Sequence, residues 1–254
     1  MKKLLAITAL SAALFFGQTA VAEEKAAEEV KPSHVEMVLV LDESGSMSDL
    51  TRDTIGGFNS MIEKEKKLDV DAHVTTVLFN DQYKMLYNRR ELKDVSKMTD
   101  KDYTPGGMTA LLDAVGRTIH KMDMVSGIHR KDKGNKVLFV IITDGEENDS
   151  REYTYADVKK LIKDRQENAG WEFIFLGANI DAAAAAENLG IDRDRAVKYK
   201  NTGSGVRANF KAVAELSDSL AKSGRVSDEW KETVEKDEDD AADKQSAAVT
   251  SHRR

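Results

Sequence analysis

The sequence predicts a doubly wound α/β fold: a mostly parallel sheet with one antiparallel edge strand and helices on both faces. Three observations point there. Met37 to Leu41 and Val137 to Ile142 are unbroken apolar runs, too short for independent helices, and read as strands buried on both faces. Each run gives way to a polar loop carrying an aspartate, Asp42 in the first and Asp144 in the second. Segments of helical periodicity alternate with strand-like segments along the chain, as they do around a parallel sheet.

The elements follow in order. After the first strand, Met47 to Leu68 is an amphipathic helix with Ile55, Phe58, Met61 or Ile62 and Leu68 on its inner side. Gly56-Gly57 in its middle costs roughly 1 kcal/mol each in propensity, and close packing against the sheet accounts for them. Ala72 to Phe79 is a β-branched-rich strand, Asn80-Asp81-Gln82 a tight turn, and Tyr83 to Tyr87 the returning edge strand. Asp94 to Tyr103 is polar and irregular, and Pro105-Gly106-Gly107 is a strong turn signal. Thr109 stands where a helix N-cap belongs, and Leu111, Leu112, Val115, Ile119 and Met122 mark the buried stripe of a helix to about Val125. Tyr155 to Gln166 reads as a helix, and Trp171 to Leu176 as a third buried strand whose alternating Trp171, Phe173 and Phe175 are core. Asp181 and Gly190 suit the start and stop of a short helix through Ala182 to Ala186. Ala196 to Tyr199 is a final short strand, and Val206 to Leu220 a C-terminal helix.

The ends differ from this middle. Lys2 and Lys3, the apolar Leu4 to Phe16 and the small-residue Ala20-Val21-Ala22 read as a secretory signal peptide over residues 1–22. Its apolar core is short for a membrane span. Residues 23–34 are a polar, Ala/Glu-rich lead-in, residues 35–223 the folded domain, and residues 224–254 a charged tail, either disordered or a frayed, solvated helix. The mature chain is then expected to be exported, to the periplasm first and to the medium as the other possibility. The formal charge is −7, and −9 once Lys2 and Lys3 are removed, with no basic stripe. Such a chain is a poor ligand for nucleic acid or anionic lipid. It has no cysteine, hence no disulfide, thiolate metal site or cysteine nucleophile.

Chemistry concentrates where the strands end. Asp42 and Asp144 each close a central strand at its carboxyl edge, where open α/β sheets bind ligands. Ser44 and Ser46 follow Asp42 at alternate positions, and Thr109 opens the intervening helix just past a glycine turn. The converging set Asp42, Ser44, Ser46, Thr109 and Asp144 offers oxygen alone. Oxygen ligation favours a hard cation over zinc or copper, and the few charges suit Mg2+, or Mn2+, better than Ca2+. Two carboxylates leave a coordination position open for water or an acidic group.

Asp42-Glu43-Ser44-Gly45-Ser46, Gly106-Gly107-Met108-Thr109-Ala110 and Thr143-Asp144-Gly145 together resemble the von Willebrand factor type A (vWA) domain, a Rossmann-like fold. The likeness runs from about Val35 to about Ala221. Phe79-Asn80, Leu111-Leu112-Asp113-Ala114 and Leu176-Gly177-Ala178-Asn179 are similar to small stand-alone bacterial and phage members. The resemblance implies a metal-ion-dependent adhesion site. Ser44, Ser46 and Thr109 would be hydroxyl ligands, with Asp42 and Asp144 holding the metal largely through water. The open position would take a Glu or Asp of a partner protein.

The function expected is therefore a non-catalytic, metal-dependent protein-binding module. One alternative is a metal-dependent phosphohydrolase-like enzyme, since a strand-end Asp over Mg2+ also builds aspartyl-phosphate chemistry. Haloacid-dehalogenase-like enzymes place a second Asp two residues after the first, where this chain has Ser44. Another is a metal-independent envelope assembly factor. His34, His73, His120, His129 and His252 show no mutual ligand spacing and read as surface or satisfied core residues. Tyr153 and Tyr155 are candidates to rim a binding face. Glu146, Glu147 and Asn148 either tune the metal or are ordinary loop residues.

Overall fold

The computed structural model describes residues 34–125, 128 and 135–236. The signal peptide expected over residues 1–22, residues 23–33 of the expected lead-in and residues 237–254 of the expected tail lie outside these. One six-stranded sheet runs in the order β3-β2-β1-β4-β5-β6. Its strands are β1 (His34–Asp42), β2 (Ala72–Phe79), β3 (Tyr83–Glu91), β4 (Asn135–Thr143), β5 (Glu172–Gly177) and β6 (Ala196–Lys198). All neighbours pair in parallel except β2 with β3, the antiparallel edge that the Asn80-Asp81-Gln82 turn demands.

Alternation along the central strands divides the core. Met37, Leu39 and Leu41 of β1 and Leu138, Val140 and Ile142 of β4 face one layer. That layer contains α1 (Thr51–Lys67) and α5 (Gly203–Ser223). Val38, Val40, Phe139 and Ile141 face the other layer. It contains α2 (Leu111–Asp123), α3 (Tyr155–Asp164) and α4 (Ala182–Leu189). Trp171, Phe173 and Phe175 join Phe139 in this second core, with the rings of Phe139, Trp171 and Phe173 5.0–6.5 Å apart.

Several helix ends carry their own signals. Thr154 and Asp157 close a capping box on α3, and Asp181 caps α4, which stops at Gly190 with φ 85°. Other expectations need correction. Residues 45–50 form a tight 3-10 turn before α1 rather than its first turns. Leu68, expected on the inner side, is 46% exposed. Gly57 packs against α5 and not the sheet: a Cβ there would lie 2.5 Å from Phe210 Cδ2, whereas one on Gly56 would meet open space. The segment after Gly224 is not all solvated tail. Residues 230–236 are helical, and Val226, Trp230 and Val234 are buried in the α1/α5 layer. Three apolar side chains spaced by four cover the end of that layer, a pattern hidden among Asp, Glu and Lys.

Candidate functional site

The three loops at the carboxyl ends of β1 and β4 and before α2 converge. β1 and β4 are direct neighbours, with Leu41 opposite Ile142, so Asp42 and Asp144 emerge side by side. The Asp42 carboxylate accepts from Ser44 N–H at 2.7 Å and from Thr143 Oγ1 at 2.6 Å, and its carbonyl accepts from Tyr103 Oη at 2.6 Å. Ser46 Oγ donates to Asp144 Oδ1 at 2.5 Å and lies 3.1 Å from Ser44 Oγ. Four of the five expected residues are thus joined in one chain of hydrogen bonds, Asp42 to Ser44 to Ser46 to Asp144.

Thr109 joins them from the third loop, its Oγ1 beside Gly145. It does not cap α2, contrary to expectation; Ala110 occupies that position and offers no side-chain bond. The reason lies across the site. Glu147 Oε2 accepts from Leu112 N–H at 3.0 Å and Ser150 Oγ from Asp113 N–H at 3.1 Å, so the free donors of the first turn are satisfied by another loop. Asn148 Oδ1 accepts from Thr109 N–H at 2.8 Å, which fixes the Thr109 backbone and leaves its hydroxyl free of capping duty. Glu147 and Asn148 are therefore the scaffold of the Thr109 loop. Asp113 locks the same loop from α2 by accepting from the backbone N–H of Arg151, Glu152 and Tyr153 at 2.9 Å each. Tyr153 packs on Gly116 of α2, while Tyr155 is exposed and lines a hollow with Glu146, Glu147 and Ile180.

The glycine turn is tied down equally closely. Gly106 N–H donates to Glu43 O at 2.9 Å, Gly45 N–H to Gly107 O at 3.2 Å, and Asn80 Nδ2 to Gly106 O at 2.8 Å. Gly107 has φ 76°, and a Cβ there would collide with Asp81, so this turn requires glycine.

Asp42 and Asp144 are 1% and 2% exposed, and among the described residues no Lys or Arg forms an ion pair with either. Burial pushes the Asp42 carboxyl above the usual range; hydrogen bonds from Ser44 and Thr143 oppose this, and the Asp144 charge adds to it. Sequence reading missed three neighbours. Asn201, after β6, donates to Asp144 Oδ2 at 3.2 Å, and Asn179, after β5, donates to the Asp144 carbonyl at 3.3 Å. Tyr199 has a buried hydroxyl without a partner, its pKa raised well above the ordinary value by burial and then by Asp144 and Asp42. Asn179 has φ 56°, a backbone that asparagine tolerates, and its place in the Leu176-Gly177-Ala178-Asn179 stretch was the only signal in the sequence.

The histidines also need correction. His34 and His73, 39 positions apart, meet across β1 and β2, with His73 Nδ1 2.8 Å from His34 Nε2. Among the described residues no helix is long and apolar enough to cross a membrane.

Comparison with known proteins agrees with this architecture. The family described as vWA-TerF-like, the vWA found in the TerF C terminus, matches residues 34–191. No curated protein matches the chain. Among solved structures, the vWF domain of the type V pili tip protein Mfa5 from Porphyromonas gingivalis is 12% identical with TM-score 0.52, covering 78% of this chain and 99% of that one. The pilus adhesin SpaC from Lactobacillus rhamnosus GG is 13% identical with TM-score 0.56, covering 76% of this chain and 31% of that one. The PilB minor pilin from Streptococcus sanguinis is 12% identical with TM-score 0.51, over 74% and 62%. The chain spans less than half the length of several solved chains that it matches. At these identities the likeness establishes the fold.

Proposed function

The chain belongs to the vWA-TerF-like family, and from that membership we infer that it is a non-catalytic, divalent-metal-dependent protein-binding module of the cell envelope. Asp42, Ser44, Ser46, Thr109 and Asp144 would hold the cation, Mg2+ or Mn2+. When bound, the cation supplies a hard Lewis-acid centre with room for one more oxygen, a carboxylate of Asp or Glu from a partner protein. The reading carries with it export by the segment 1–22 and residence in the periplasm or outside the cell. Adhesion or assembly is the role it fits, as in the pilus proteins that share the fold.

One observation supports this above the others. Two buried carboxylates and the hydroxyls of Ser44 and Ser46 converge, and among the described residues no Lys or Arg is ion-paired with either carboxylate. Buried charge is normally paired or coordinated to metal, and a set made of oxygen alone suits a hard cation. The remaining residues have positioning roles: Thr143 aims Asp42, Asn201 and Asn179 aim Asp144, and Asn148 holds Thr109.

The test is thermal unfolding with Mg2+ against chelator. At about a hundred times the dissociation constant, binding adds roughly 2.7 kcal/mol to stability, several degrees in a domain of this size. Asp144→Ala and Thr109→Ala should remove the shift. An equal rise in wild type and both variants would sink the site assignment. Affinity capture from the envelope fraction, with Mg2+, with chelator and as Asp144→Ala, then tests the partner role. A partner retained in all three arms moves the function to another surface.

A further inference from the structure

The parallel register builds a second cluster at the opposite end of β1, about 26 Å along the strand from Asp42. Glu36 is the direct partner of His73 on β2, and His34 lies two residues before Glu36 on the same face. Three ligand-type atoms from three side chains form a small triangle. His34 Nε2 is 2.8 Å from His73 Nδ1 and 3.3 Å from Glu36 Oε1, and His73 Nδ1 is 3.4 Å from Glu36 Oε1. Ligands bound tetrahedrally to zinc at their usual distances lie about 3.3 Å from one another. Two edges of the triangle already match, and the third needs to open by about 0.5 Å.

The surroundings fit the same reading. His34 Nδ1 lies 3.0 Å from Asp71 Oδ1, so its proton belongs there and the Nε2 lone pair faces the cluster. Metal-binding histidines are oriented in this way by an outer carboxylate. Both oxygens of Glu36 accept from the Arg89 guanidinium, so the group is a carboxylate. A cation already stands at the triangle. A backbone irregularity between β2 and β3 carries Arg89, with φ 46°, inward. Its Nε donates to Glu36 Oε2 at 3.0 Å and its Nη2 to Oε1 at 2.5 Å, the latter also 3.4 Å from His73 Nδ1.

We propose that His34, Glu36 and His73 form a second metal site, selective for an imidazole-preferring transition metal and best suited to Zn2+. Two imidazoles and one carboxylate are a zinc donor set, whereas magnesium disfavours nitrogen. The imidazoles are partly exposed, with His34 18% and His73 26% accessible, so a cation and a water as fourth ligand can reach them. Arg89 and the metal compete for Glu36 Oε1. The guanidinium neutralises the buried carboxylate in the metal-free chain and keeps only Oε2 once metal enters. Uptake ties the start of β1 to the start of β2, independently of the Asp42 and Asp144 loops.

The experiment titrates metal-free protein with Zn2+ against a chromophoric chelator, with Co2+ as spectroscopic probe. The expected result is one Zn2+ per chain and a tetrahedral Co2+ spectrum. His34→Ala and His73→Ala should each weaken Zn2+ by about a hundredfold or more, exceeding the usual effect of an outer-shell change. Asp144→Ala should bind as wild type does. Arg89→Gln should bind Zn2+ more tightly and show a larger Zn2+-induced rise in Tm, because Glu36 has then lost its competing cation. Circular dichroism of each metal-free variant checks folding, and His34→Gln serves if an alanine variant does not fold. Absence of Zn2+ uptake by the wild type, or uptake that survives both histidine variants, overturns the proposal. So does uptake lost in Asp144→Ala.

Discussion

Glu65→Gln should make this protein more stable, and only above acidic pH. Glu65 lies on the buried stripe of α1 and is fully inaccessible. Ser217 of α5 donates to its Oε2 at 2.7 Å, and Oε1 has no partner. Burial, partly offset by the Ser217 hydrogen bond, pushes the carboxyl up from 4.5 to about 7. The folded chain therefore holds this proton more tightly than the unfolded chain. The contribution of Glu65 to stability is greatest below pH 4.5, falls as pH rises towards 7, and stays low above it. At roughly 1.4 kcal/mol per pH unit, the loss amounts to about 3 kcal/mol, or about 6–12 °C in Tm. Glutamine keeps the shape and cannot ionise. Urea unfolding of wild type and variant from pH 4 to 9 should give near-equal stabilities at the acid end and a gap opening to about 3 kcal/mol at the other. Parallel curves across the range would refute the reasoning, because they would show that Glu65 ionises in the folded chain as easily as in the unfolded one.

Adjacent glycines in α1 should respond with opposite signs. Gly56→Ala meets open space and should stabilise by about 0.5–1 kcal/mol, whereas Gly57→Ala drives a methyl into Phe210 and should cost about 1–3 kcal/mol, both read from urea midpoints. Thr143→Val removes the hydroxyl that donates to Asp42 at 2.6 Å; a loss of about 1.5–3 kcal/mol in metal-free buffer and weaker Mg2+ stabilisation are expected. Trp230→Ala should cost about 3–5 kcal/mol in chemical denaturation, as should truncation after Gly224, since Trp230 is 1% exposed. A tail deletion meant to test partner binding must therefore begin after residue 236.

What the sequence determined by itself is local and periodic. Apolar runs of strand length, ended by Asp42 and Asp144, predict central strands and the edge at which their carboxylates emerge, because strand length and abrupt polarity are written in consecutive residues. Asp181 and Gly190 bound their helix for the same reason: caps act on the nearest turn. The Asp-x-Ser-x-Ser, Thr109 and Thr-Asp-Gly loops could be assigned to one crevice because the α/β topology brings strand ends together.

Tertiary structure decided whatever depends on register and on contacts between distant elements. Pairing of Glu36 with His73 creates the histidine cluster, and no spacing along the chain records a partner 37 residues away. Capping of α2 by Glu147 and Ser150 releases Thr109 from the role its position suggested, because a helix end is satisfied by any donor-matched group that packing delivers. Asn201 and Asn179 reach Asp144 from the loops after β6 and β5, contacts that no local pattern records. Trp230 joins the core from a stretch of charges because three apolar residues suffice to cover an open helix end, while the charges around them stay in water. Pattern fixes which residues want burial or a turn; only the assembled sheet determines which neighbours they find there.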